Sequence, residues 1–283
     1  MLRVPVESRI AVNGVEIALW EWPGQGRPVF FCHASGFHAR VWDRVIAHLP
    51  RERRCFAFDA RGHGRSSKPA PPYVWRNFGR DVAAIAESLG LSGAIGVGHS
   101  MGGHAVTLAA TLNPSSFSAL VLFDPVIRGN DQYLGYWGKT EFVRKRRNQW
   151  ASQQEMFERF QNRPPFDTWD RGVLRDYCEY GLEPAGDGYK LACPPEVEAS
   201  VYENSSVPES NIYPEIATIT IPVHVVRAGQ YRDSANVMGS SPTAPGLAAS
   251  FARGVDTLLP QHSHFIPMEA PELAAKLIAD SLL

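Results

Sequence analysis

Gly98-His99-Ser100-Met101-Gly102 joins two runs of different character. Before it lies the short apolar run Ala94-Ile95-Gly96-Val97. After it comes the helix-like run Gly103-His104-Ala105-Val106-Thr107-Leu108-Ala109-Ala110. A strand, a sharp turn bearing one serine, then a helix is the setting that lifts a serine hydroxyl clear of a sheet edge. Small residues at 98, 102 and 103 let such a turn close without side-chain collisions. The Ser100 hydroxyl would then stand at a helix N-terminus, where free N–H groups and the helix dipole favour developing negative charge. Short glycine patterns are common, and a serine in an ordinary Gly-rich turn is the bland alternative. The flanking runs and the partners elsewhere in the chain give Ser100 its weight as a nucleophile.

Working outward, Asn13-Gly14 sits between Ile10-Ala11-Val12 and Val15-Glu16-Ile17-Ala18-Leu19-Trp20, a strong hairpin signal. Apolar runs then alternate with segments of helical period. Val29-Phe30-Phe31-Cys32 reads as a buried strand, Val41 to Leu49 as a helix, and Phe56-Ala57-Phe58 as a strand. Phe78, Val82, Ile85 and Leu89 recur at helical spacing, and Ala119-Leu120-Val121-Leu122-Phe123 is the strand after the elbow helix. The alternation predicts an α/β fold with a mostly parallel, doubly wound sheet of about eight strands, covered on both faces.

The pattern breaks after Asp124-Pro125. The stretch 129–215 has no clear buried strand, is punctuated by Pro164-Pro165, Pro194-Pro195 and Pro208, and holds 14 of the chain's 30 aromatic residues. Val143, Trp150, Phe157 and Phe160 read as one face of a helix. The basic run Arg144-Lys145-Arg146-Arg147 on that helix reads as a solvated face, a carboxylate- or phosphate-binding patch being the alternative. An aromatic-rich insertion suggests a mainly helical cap walling a pocket, between core segments 1–128 and 216–283. Aromatics that only pack the cap's own core are the rival reading. Sheet signals resume at Ile221-Pro222-Val223-His224-Val225-Val226. A Gly/Ser/Pro-rich stretch follows from Gly229 to Gly246. Thr257-Leu258-Leu259 reads as a last strand and Glu272 to Leu283 as a closing helix.

Composition narrows the function classes. Among 283 residues, 28 are basic and 29 acidic, so the net charge of −1 gives no pull toward nucleic acid or an anionic membrane. No apolar run approaches the ~20 residues of a membrane span. The N-terminal stretch lacks an apolar signal core, so a cytoplasmic protein is expected. Cys32 and Cys55 lie in apolar runs and read as buried thiols. With no C-x-x-C pair and no H-E-x-x-H motif, no metal is expected.

A serine hydroxyl is a weak nucleophile until a base takes its proton. His264, in His262-Ser263-His264-Phe265-Ile266-Pro267, is the first candidate for that base, with His262 its rival. The segment follows the last strand and precedes the last helix, a loop that opens at the carboxyl edge of a doubly wound sheet.

With these pieces in place, the chain resembles the lid-bearing, esterase-like serine hydrolases of the α/β-hydrolase superfamily. The resemblance rests on the hairpin, Cys32-His33-Ala34-Ser35-Gly36-Phe37, the run Phe58-Asp59-Ala60-Arg61-Gly62-His63-Gly64-Arg65-Ser66, the elbow, Leu122-Phe123-Asp124-Pro125, and His264-Phe265-Ile266-Pro267-Met268-Glu269. It covers both core segments and says nothing specific about the cap. It implies an oxyanion hole from the Met101 N–H and an amide of the loop after Cys32. That loop usually reads His-Gly, whereas here it reads His33-Ala34-Ser35-Gly36. Ser35 is the first choice for the second donor and Gly36 the alternative. The acid orienting the histidine is Asp124 or Asp233, both of which follow core strands. Asp59 reads as a turn cap or Arg61 partner, and His63, His99 and His104 as structural.

The implied chemistry is cleavage of small to medium apolar carboxylic esters through an acyl-enzyme, with no cofactor. A serine at the elbow argues against the dehalogenase and epoxide-hydrolase cousins, which use aspartate there. A lactonase, a carbon–carbon bond hydrolase, a perhydrolase and an acyltransferase stay open, as does a non-catalytic ligand-binding member of the fold. His33, Phe37, Trp137, Trp150 and Phe265 are the candidate pocket residues. A small-molecule ester is the only partner expected, on a monomer or homodimer.

Overall fold

In the computed structural model, residues 2–136, 138, 140–229 and 241–281 are described. β1 (Val6–Val12) and β2 (Val15–Trp22) pair antiparallel across Asn13-Gly14, with Val12 opposite Val15. Both turn residues have positive φ, 46° and 76°. A type I′ hairpin turn requires this, and Asn and Gly meet the requirement at least cost. β3 (Gln25–Cys32), α1 (Asp43–His48), β4 (Arg53–Phe58), α2 (Trp75–Ser88), β5 (Ala94–His99), α3 (Met101–Leu112) and β6 (Phe117–Phe123) follow in alternation.

The chain then leaves the sheet for an insertion of α4 (Glu141–Arg144), β7 (Gln149–Trp150), α5 (Gln153–Phe160), α6 (Arg171–Tyr180), β8 (Leu182–Ala185), β9 (Gly188–Leu191) and α7 (Pro195–Glu203). α8 (Tyr213–Ile216), β10 (Val223–Ala228), β11 (Gly254–Leu259), α9 (Ile266–Glu269) and α10 (Pro271–Asp280) complete the core.

The eight strands run β1-β2-β4-β3-β5-β6-β10-β11. The β1–β2 and β2–β4 pairs are antiparallel, and the other five pairs of this sheet are parallel. Helices cover both faces, so the parallel strands are continuous apolar runs rather than alternating ones. On β3, Phe30 packs with α2 and α3, while the next residue, Phe31, packs with α1 and α10, and both are fully buried. Each such burial stabilises the fold by about 2–3 kcal/mol. From β3 the chain passes to β4 on one side and then to β5 on the other. This reversal opens a crevice at the carboxyl ends of β3 and β5, where ligands of open α/β sheets bind.

The insertion departs from expectation in three ways. It contains a small antiparallel sheet, β7-β9-β8, as well as helices. The β8–β9 hairpin turns on Gly186-Asp187, with Gly186 at φ 59° in the first loop position. That Gly-Asp signal stands in the sequence. The expected single helix through Val143, Trp150, Phe157 and Phe160 is three elements. Val143 is on α4, Trp150 pairs with Tyr189 on β9, and the phenylalanines are on α5, which is capped by Ser152. Finally, the expected boundary at 215/216 falls inside α8, whose Ile216 packs, with the preceding Ile212, into the same core as α3.

Candidate active site

Ser100 closes β5 and caps α3 with φ 56° and ψ −118°, a conformation strained for any side chain. The surroundings hold it there. Its N–H donates to Phe123 O at 3.1 Å, and its carbonyl accepts from Gly103, His104 and Val126 N–H groups at 3.1, 3.3 and 3.0 Å. Gly102 lies so close to β3 that a Cβ would meet Cys32 O at 2.2 Å. The contact brings the N-terminus of α3 and the loop after β3 together, so the Met101 and Ser35 amides share one corner. Neither N–H donates to another backbone group among the described residues.

The loop after β3 is fixed from below. His33 Nδ1 lies 2.7 Å from Ala34 O, and its Nε2 accepts from Ala60 N–H at 2.9 Å. The ring is 1 % exposed, so His33 is a brace under the loop and does not line the cavity described below, contrary to the pocket expectation. Phe37 N–H returns to Ala34 O at 3.2 Å, with Gly36 at φ 76°, the glycine position of a type II turn. The Gly36 amide interacts with the Cys193 thiol, which leaves Ser35 the freer of the two amides.

His264 and Asp124 meet at the edge, Nδ1 to Oδ2 at 2.6 Å. The bond places the ring proton on Nδ1 and leaves Nε2 as the free base. Asp124 is fully buried at φ 42°. Its other oxygen, Oδ1, accepts from Ala228 N–H at 3.0 Å, Ser241 Oγ at 2.5 Å and Thr243 Oγ1 at 3.2 Å. Four donors thus converge on one buried carboxyl and fix its orientation. Asp233 lies outside the described residues. The rival histidine, His262, turns away to Glu269 Oε2 at 3.3 Å.

His99 sits beside the pair. Its Nε2 donates to His264 O at 2.8 Å, and the two rings are 4.9 Å apart. Burial first, then the nearby His264, holds His99 well below the usual imidazole range, so it stays neutral. His104 and His63 bond to Ser210 O and Arg61 O. Asp59 caps its turn by accepting from Ala39 and Arg65 N–H at 2.7 and 2.6 Å, while Arg61 pairs with Asp81 instead.

A cavity of about 340 Å³ lies between this corner and the insertion. Ser35, Phe37, Trp150 and Phe265 line it, with Phe160, Phe166 and Tyr177. The aromatic wall is continuous: Phe265 stacks on Phe37 at 6.1 Å, Phe37 meets Tyr177 at 5.3 Å, and Phe166 stacks on Phe160 at 4.3 Å. Trp137 lies outside the described residues. The basic run is not a solvated face throughout. Arg146 faces the cavity and pairs with the buried Glu198 and with Tyr177 Oη at 3.2 Å. Burial works against the Arg146 charge, but Glu198 and Tyr177 outweigh it and raise its pKa. Glu198, Ser241 and Thr243 escaped the sequence reading, since none stands in a recognisable pattern.

Among the described residues, no cluster of three or more His, Cys, Asp or Glu side chains is arranged to hold a metal ion. The four cysteines are free and buried. No described helix is long and apolar enough to cross a membrane.

The sequence profile of the alpha/beta hydrolase family matches residues 29–277. A non-heme chloroperoxidase of Streptomyces lividans is 37% identical over 117 residues, 40% of this chain and 42% of that enzyme. The chain is 23% identical to a 2-(acetamidomethylene)succinate hydrolase of Mesorhizobium japonicum, over 97% of its own length and 94% of the relative's. The crystal structure of an E-2-(acetamidomethylene)succinate hydrolase superposes with a TM-score of 0.78 at 19% identity, covering 99% of each chain.

Proposed function

The chain belongs to the alpha/beta hydrolase family, and we propose that it is a serine hydrolase cleaving carboxylic esters of small to medium, largely apolar substrates through an acyl-enzyme on Ser100. The observation that carries this reading is the 2.6 Å His264–Asp124 pair beside a serine held in a strained turn.

His264 Nε2 takes the Ser100 proton as Oγ attacks the ester carbonyl. The new C–O bond pushes the carbonyl electrons onto oxygen, and the oxyanion is met by the Met101 and Ser35 N–H groups. Each such donor is worth about 3 kcal/mol in the transition state. The imidazolium is stabilised by Asp124, whose carboxyl is held in place by its other three donors. His264 then protonates the leaving alcohol, and the same histidine activates the water that frees the acid and restores Ser100. The aromatic walls exclude bulk water and give the acyl chain its apolar surroundings. The insertion serves as the lid over that chamber.

Hydrolysis of a p-nitrophenyl ester series, from acetate to long acyl chains, tests the reading. Wild type is expected to turn over with an optimum at short to medium chains, and Ser100→Ala to lose the activity. Undiminished activity in Ser100→Ala overturns the nucleophile. Inactivity on every ester overturns the esterase reading and redirects the search to lactones and diketones.

A further inference from the structure

The cavity is aromatic in its walls but not neutral. Arg146, Arg147, Arg159 and Arg163 border it, against the single carboxylate of Glu198. Two of the four guanidinium groups are already engaged. Arg146 is locked to Glu198 and Tyr177. Arg147 pairs with Glu155 at 2.6 Å and lies 4.2 Å over the Trp150 ring. The other two are not so engaged. Arg159 has only a through-space attraction to that same Glu155. Arg163 makes no ion pair and no side-chain hydrogen bond among the described residues.

Trp150 adds a second, independent sign. It is buried in the cavity wall, and its indole N–H has no acceptor. A buried donor left unpaired costs about 1–3 kcal/mol, and a ligand that supplies an acceptor recovers it. The cavity thus presents two exposed, under-neutralised cations at its rim and an idle donor in its wall. The group that complements such a set accepts hydrogen bonds, donates none and carries negative charge.

We infer that the substrate's acyl part ends in a carboxylate, held by Arg159 and Arg163 with the Trp150 N–H. The substrate class is therefore the half-ester of a short dicarboxylic acid. This deepens, and rests on, the proposed ester hydrolysis. The acyl part is the half to anchor, because it stays on Ser100 through both half-reactions while the alcohol leaves. Its methylene chain lies along the Phe160–Phe166 stack, and its carbonyl reaches the Ser35 corner of the same cavity.

Two esters of equal chain length provide the test: monoethyl adipate and ethyl hexanoate, followed by acid release. Wild type is expected to prefer monoethyl adipate by about tenfold or more in kcat/KM, since hydrogen bonds to charged groups carry effects of that size. Arg159→Gln with Arg163→Gln removes the preference through KM, while the remote, exposed Arg51→Gln keeps it. Raising the salt concentration weakens the charged ester's kcat/KM more than the neutral one's. Equal rates for the two esters, or a preference that survives the double variant, overturns the inference. If neither ester is cleaved, the proposed hydrolysis fails instead, and calorimetric binding of adipate decides the anion site by itself. Binding that the double variant loses supports the site, and no binding by wild type overturns it.

Discussion

Replacing Asp124 by asparagine tests the centre of the proposed mechanism with little disturbance of shape. Asp124 Oδ1 accepts three hydrogen bonds, from Ala228 N–H, Ser241 and Thr243. An asparagine keeps these by placing its carbonyl oxygen there, which forces its NH2 group into the position of Oδ2. That group would face His264 Nδ1, which now stands 2.6 Å from a carboxylate oxygen. Two N–H groups cannot share that contact, so the imidazole moves its proton to Nε2, and Nε2 can no longer take the Ser100 proton. The wrong tautomer and the lost charge together lower kcat by about 10⁴, as removing the acid of such a triad does, a barrier increase of about 5 kcal/mol. Stability should change by no more than about 1–2 kcal/mol, since asparagine tolerates positive φ and the three outer donors keep their acceptor. The assay is kcat on p-nitrophenyl butyrate alongside the thermal midpoint, with Asp233→Asn measured in parallel. A loss of less than tenfold in Asp124→Asn, or a loss carried by Asp233→Asn instead, refutes the reasoning.

Three further outcomes are expected. Burial depresses the pKa values of six histidines, five of them fully buried: His38 to about 3, His63 and His104 to about 4, and His33 and His99 well below the usual range, with the half-buried His224 lowered less. A depressed histidine contributes stability above its unfolded pKa near 6.5 and loses it as pH falls, about 7 kcal/mol for five between pH 7.5 and 5.5. Asp59 and Asp43, raised by burial to about 7 and about 6, work in the opposite direction and return about 3 kcal/mol. A net loss of about 4 kcal/mol should pull the urea midpoint down sharply over that range, and a midpoint constant to pH 5.5 contradicts it. Gly102→Ala drives a Cβ into Cys32 O at 2.2 Å, so it should separate the two oxyanion amides and cut kcat by at least tenfold, given about 3 kcal/mol per donor; wild-type kcat would show that the corner tolerates the shift. Glu198→Gln, which strips the partner from Arg146, should destabilise by about 3 kcal/mol, whereas Arg146→Met with Glu198→Met restores most of that in denaturant titration; equal losses in both would show that packing rather than charge sets the cost.

The features legible in the sequence are those set by neighbours along the chain. The elbow needed only a strand, small residues and a helix in succession, and the first hairpin only Asn13-Gly14 between apolar runs. The expected sheet and its covering helices followed from the same local alternation. What stayed open depends on contacts between distant segments. Two acids follow core strands, and the meeting of Asp124 with His264 is made across 140 positions of chain. Ser35 and Gly36 are equivalent as sequence, and they separate only because the Gly36 amide meets Cys193. Arg146 looked like part of a solvated run because its partner, Glu198, lies 52 positions away. Val143, Trp150 and Phe157 fall seven apart, the spacing of a helix face, yet Trp150 lies in a strand paired to Tyr189. Periodicity reports that residues share a face, not which element supplies it.

The two halves of the site are held by different forces, and that difference assigns them different tasks. Ser100 and Asp124 both sit at positive φ, at the ends of the neighbouring strands β5 and β6. Strain of about 1–3 kcal/mol at each is opposed by the pairing of two fully buried strands and by hydrogen bonds that tie the residues together. Ser100 N–H donates to Phe123 O, and Val126 N–H donates to Ser100 O, so the two turns clamp each other. A frame of that kind holds reacting atoms to within fractions of an ångström, which is what proton transfer and oxyanion contact demand. The cavity wall is built in large part from short elements of the insertion, tied by ion pairs and ring contacts such as Arg147 with Glu155 and Phe160 with Phe166. Such contacts are individually weak where solvent reaches them, and they can be exchanged without disturbing β5 or β6. Substitutions in the sheet corner should therefore act on kcat, and those in the insertion on KM and on the choice among substrates.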